Sequence, residues 1–180
     1  MSVVYYPSCP DTITAPLCTP CPAKELGRVR SIVLKKKTFS FTDITDTQEW
    51  YDAICNEDIY VIPKTRGSVA VSEVTTEGFG DTSEEVDSYD YVLSGFDPNY
   101  TQNGDFWKSI RKHRDFEVIY RTETKLHQSS NTVSVSAMNP VEDDPDSKVL
   151  WAISIKWSQE DPVLPLDMPT DVFDRCVQCA

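Results

Sequence analysis

Between Arg66 and Lys108 the sequence holds no lysine and no arginine. Histidine is almost missing, with 2 among 180 residues, and glycine is sparse at 6. No apolar run approaches the roughly 18–20 residues that a helix needs to span a bilayer. Each shortage excludes something. With 17 basic against 29 acidic residues and a net charge of −12, and a pI near 4.5, the chain lacks the basic footprint of a sequence-specific nucleic-acid binder. No glycine-rich loop that would cradle phosphate is present, no serine sits in a nucleophile elbow, and no H-E-x-x-H occurs. The two histidines have plain settings, His113 near the end of a charged helix and His127 in a polar turn. The first residues carry neither a basic n-region nor a long apolar run, so no signal peptide is expected. A reducing compartment is then the default, with cysteines reduced, metal-bound or catalytic rather than in a disulfide framework.

What the Arg66–Lys108 stretch does contain is acid: Glu73, Glu77, Asp81, Glu84, Glu85, Asp87, Asp90, Asp97 and Asp105. It also contains Val69, Val71, Val74, Tyr89, Tyr91, Leu93 and Phe96, enough apolar surface to bury a face. The expectation is a folded surface with a large field of one sign. Glu77, Asp81, Glu84, Glu85, Asp87 and Asp90 lie in or beside the loop between two predicted strands, and are the expected interaction residues. Simple solubility accounts for the same acids.

Hydrophobic periodicity predicts strands over Arg28–Leu34, Thr38–Thr42, Asp58–Ile62, Ser68–Val74, Tyr89–Phe96, Phe116–Thr122, Asn131–Ala137 and Val149–Trp157. The last alternates strictly, so Val149, Trp151, Ile153, Ile155 and Trp157 should face a core, with Phe39, Phe41 and Val135 opposite. Asp46, with Glu49 three residues on, marks a helix start ahead of Trp50, Ala53 and Ile54. A second helix is expected over Asn103–His113. The fold class is mainly β: a β-sandwich or partly closed barrel with two short helices and extended N- and C-terminal arms. The expected division is an arm over 1–26, rich in proline and cysteine, a sandwich domain over 27–160, and a second arm over 161–180.

Two C-x2-C pairs, Cys18 with Cys21 and Cys176 with Cys179, stand in the two arms. Together they can form a tetrahedral thiolate site for zinc, provided the arms meet. Unpaired thiols, or disulfides formed after release from a cell, are the competing account, and no other cofactor is expected. Asp97, Asn99, Thr101, Asn103 and Asp105 alternate like calcium-loop ligands, but Gly104 is displaced and Lys108 stands where the bidentate Glu belongs. A turn leading into a helix explains them better. Trp50, Trp107, Trp151 and Trp157 fall at periodic positions, which favours core packing over a carbohydrate platform. Lys35, Lys36 and Lys37 form a short basic run, either an ordinary hairpin tip or a counter-surface for the acidic block of a neighbouring copy.

Several segments give the chain a resemblance to virion structural proteins of tailed phages that infect Bacteroidetes, the crAss-like group in particular. They are Pro20 to Leu26, Gly27 to Arg30, Phe41 to Asp46, Glu49 with Trp50, the turn from Ile62 to Gly67, Asn103 to Trp107, Tyr120 to Thr122, and the Val149 to Trp157 strand. The resemblance is one of ordering and turn chemistry over most of residues 20–170. It implies a non-enzymatic tail or head-to-tail protein that forms a homomeric ring around the DNA channel. Its partners would be further copies and neighbouring ring, portal or tail proteins, with neither sequence-specific nucleic-acid binding nor membrane contact. Assembly would take place in the host cytoplasm, and the mature location would be the virion. The alternative from residues alone is a monomeric module whose acidic face docks a basic partner or cations.

Overall fold

The strict alternation at the end of the sandwich region places Ile153, Ile155 and Trp157 in one buried row. They lie on β8 (Trp151–Gln159), the third strand of a four-stranded antiparallel sheet. The computed structural model describes residues 27–77, 85–141 and 148–173. The other strands of this sheet are β3 (Arg66–Thr76), β4 (Glu85–Asp97) and β7 (Ser134–Met138), in the order β3-β4-β8-β7. The second sheet has the order β2-β1-β5-β6-β9, built from β1 (Ser31–Lys36), β2 (Ile59–Ile62), β5 (Phe116–Arg121), β6 (Lys125–Gln128) and β9 (Pro165–Asp167). The described residues also form two short helices, α1 (Thr47–Cys55) and α2 (Gly104–Ile110). The sheets do not close into a barrel, so the arrangement is β-sandwich-like.

Tyr91, Leu93, Ile153, Ile155 and Trp157 from one sheet meet Ile32, Leu34, Val118 and Tyr120 from the other in the main core. The Tyr91 and Trp157 rings stack at 4.9 Å and 5°. A second cluster lies on the far side of the five-stranded sheet, where Trp50 and Ala53 of α1 pack with Val33, Ile119, Leu126, Val172 and Phe173. That sheet is therefore covered on both faces, which is why Ser31 to Lys35 of β1 form an unbroken buried run instead of alternating.

Several expectations are revised. Residues 38–42 are irregular, not a strand. Phe39 and Phe41 pack edge-to-face at 4.9 Å, and Phe41 stacks on Trp50 at 4.6 Å. Both therefore belong to the second cluster and do not oppose β8. Val135 pairs with Ile155 within one sheet, so it is a neighbour and not a facing residue. Trp151 and Val149 are only half-buried; Trp151 spans to a loop, its Nε1 donating to the Tyr100 carbonyl at 2.9 Å. Asp46 does cap α1, accepting from the Gln48 N–H at 2.9 Å. Glu49 reaches past it to the N–H groups of Thr42 and Asp43. Those bonds, Thr42 first, hold its carboxyl below the ordinary 4.5. Past Asp161, β9 and the buried Val172 and Phe173 belong to the packed body.

Candidate functional site

The antiparallel pair β3–β4 runs from Arg66 opposite Phe96 to Thr76 opposite Glu85. The adjacent β8 ends at Gln159, opposite Tyr89. Beyond that pair the two strands continue without a third strand among the described residues. Val74 faces Ser88 and Thr75 faces Val86, so Asp87 is the extra residue of a β-bulge. A bulge bends and twists the strand that carries it. The projecting part exposes Val74 at 38% and Val86 at 45%, and Val71, opposite Tyr91 in the adjoining three-stranded part, is exposed at 54%. Among the expected interaction residues, Glu77 and Asp87 are exposed on the projecting part, and Asp90 is exposed in the adjoining three-stranded part, as is Glu73. The backbone of Glu85 lies in the ladder opposite Thr76; Asp81 and Glu84 lie outside the described residues.

The other end of the same strand carries the opposite charge. A cleft of ≈ 820 Å³ is lined by Arg28, Arg30, Lys64 and Arg66, with Pro63, Thr65, Phe96, Pro98 and Leu150. Its geometry follows from two short stretches sewn side by side. Val29 N–H donates to the Gly67 carbonyl at 3.0 Å, Gly67 N–H returns the bond at 3.3 Å, and Thr65 N–H donates to the Arg30 carbonyl at 3.0 Å. Val29 and Thr65 are buried, so their flanking residues, Arg28 with Arg30 and Lys64 with Arg66, are exposed. Gly67 is required at this junction, because a Cβ there would lie 2.4 Å from the Ser94 carbonyl oxygen. Arg30 is tied to Glu123 at 2.9 Å. Among the described residues no carboxylate pairs with Arg28, Lys64 or Arg66. Guanidinium and ammonium groups over an apolar floor can hold carboxylates or phosphates.

The remaining motifs resolve into structure. Asp97 is buried on β4, and its carboxylate accepts from the Asn99 N–H at 2.9 Å, Asn103 Nδ2 at 2.7 Å and Trp107 Nε1 at 2.9 Å. The calcium-like spacing is thus a hydrogen-bonded turn that anchors α2. Lys35 is buried against Glu117 at 2.7 Å, and Lys36 lies 3.7 Å from Asp58. This basic run is therefore largely committed within the subunit. Trp50, Trp107 and Trp157 are core residues. Cys18, Cys21, Cys176 and Cys179 lie outside the described residues. Cys55, at the end of α1, is disulfide-bonded, whereas the default expectation is cysteines that are reduced, metal-bound or catalytic. Among the described residues no cluster of His, Cys, Asp and Glu could hold a metal ion, and no helix is long and apolar enough to cross a membrane.

No family model, curated protein or solved structure matches this chain.

Proposed function

We propose that this protein is a non-enzymatic structural subunit that assembles with copies of itself. Its finer placement, a homomeric ring in the tail or head-to-tail connection of a phage virion, rests on the sequence resemblance. The observation that carries self-assembly is β3. It is the outermost strand of its sheet and 11 residues long. Among the described residues its free edge is bridged only at Gly67, by Val29. A long edge with free N–H and C=O groups is a template for another strand. Soluble monomers usually blunt such an edge with a charge, a proline or a cover. From Ser68 to Val74 this edge has Glu73 as its sole charge, and Val71 and Val74 are exposed on it. A contact between unlike surfaces closes into a ring when the rotation between copies fits. The net charge of −12 suits a conduit for DNA, because phosphates find little counter-charge to bind.

Particle images and mass measurements of the purified full chain test the reading. Closed rings of many copies are expected. A clean monomer of 20.4 kDa at all concentrations overturns it and favours a binding module with an acidic face.

A further inference from the structure

We propose that the cleft lined by Arg28, Arg30, Lys64 and Arg66 receives the projecting β3–β4 hairpin of a second copy. This inference rests on the self-assembly reading and names the surfaces that would meet. The two features are complementary in kind. The cleft offers cations around an apolar floor of Pro63, Phe96, Pro98 and Leu150. The projecting end of the hairpin offers exposed Glu77 and Asp87 beside exposed Val74 and Val86, and the adjoining three-stranded part adds exposed Val71, Glu73 and Asp90.

The charges at the cleft are available. Arg28, Lys64 and Arg66 have no carboxylate partner among the described residues, although the chain as a whole has 29 acids for 17 bases. Three neighbouring cations without a carboxylate among the described residues, in a subunit so rich in acid, offer a place for carboxylates from outside. The hairpin cannot fill the cleft of its own copy. Arg66 and Glu77 stand at opposite ends of one continuous strand, roughly 35 Å apart at about 3.3 Å per residue. The contact must be made between copies, and it is head-to-tail: cleft of one, hairpin of the next. Such a contact is heterologous and leaves one free cleft and one free hairpin at the ends of any open chain, so it propagates until a ring closes.

Two sets of charge reversals in the full chain test the contact, read by sedimentation and by native mass. Arg28→Glu with Arg66→Glu reverses the cleft; Glu77→Lys with Asp87→Lys reverses the hairpin. All four side chains are exposed, and circular dichroism verifies that each variant folds. Each reversed chain alone is expected to assemble at least about tenfold more weakly, since like charges then face each other. An equal mixture of the two should regain assembly. In the mixture the native hairpin of one chain meets the native cleft of the other, and reversed hairpin meets reversed cleft. With the wild-type chain, a carbodiimide should join Lys64 to Glu77 or Asp87 between isotopically distinct copies. Wild-type protein that assembles while ignoring both reversals and giving no such cross-link overturns this contact and leaves the assembly reading standing. Wild-type protein that stays monomeric overturns both.

Discussion

Asp97 shows how much a single residue can hold. Its buried carboxylate takes three donors, from Asn99, Asn103 and Trp107, and Trp107 is itself fully buried. Asp97→Ala leaves an indole N–H in the core without its acceptor, and should destabilise by about 3 kcal/mol; a urea midpoint within error of wild type would refute this role. Tyr120 supplies a pH dependence. Burial, and secondarily the nearby Tyr91, push its phenol from the ordinary 10.0 up to about 12. A raised value means the folded state favours the neutral phenol. Its contribution is thus complete below pH 10 and is lost as pH rises from 10 towards 12. Thermal melts should show the wild type losing stability across that window more steeply than Tyr120→Phe. Parallel profiles for the two proteins would sink the assignment.

At the scale of elements, burial ranks the tryptophans. Trp50 is fully buried between α1 and the five-stranded sheet, so Trp50→Ala should cost about 3–5 kcal/mol. Trp151 sits at the end of β8, half-buried, and Trp151→Ala should cost about half as much. Chemical denaturation of both variants decides the order. The contrast also marks what the sequence could convey. The period-two rows of β4 and β8 were legible because both strands bury one face and show the other. Phe39 and Phe41 have the same spacing, yet they mimic a strand from within a loop, since clustering around Trp50 rewards the same i, i+2 pattern. β6 and β9, at four and three residues, are too short to establish a period, and β6 around His127 reads as a polar turn. The acidic hairpin was visible because its charges are contiguous. The cleft was not, because its cations come as two pairs far apart in sequence. The only local trace is that each pair flanks a buried residue, Val29 or Thr65, and nothing in the sequence says that those two residues lie on neighbouring stretches.

At the scale of the whole molecule, a net charge of −12 opposes any assembly, while the separation of a basic cleft from an acidic hairpin promotes one. The two effects differ in range, and salt distinguishes them. At about 0.01 M the screening length is roughly 30 Å, comparable to the span of the β3 strand, so each copy feels the full negative charge of the next. At about 0.15 M it falls to roughly 8 Å, and only groups that face each other across the contact still interact. At about 1 M it is near 3 Å, and the facing pairs are screened as well. Repulsion between whole subunits is thus removed first and attraction at the contact last. Assembly measured by sedimentation should therefore be weak at low salt, strongest near physiological ionic strength, and weaker again towards 1 M. The cleft-reversed chain, Arg28→Glu with Arg66→Glu, has lost the attractive part and gained four units of negative charge on each copy. Its assembly should only strengthen as salt rises, with no maximum. A wild-type curve that rises steadily with salt would mean that the contact is held by apolar burial alone, and that the cations of the cleft have some other use.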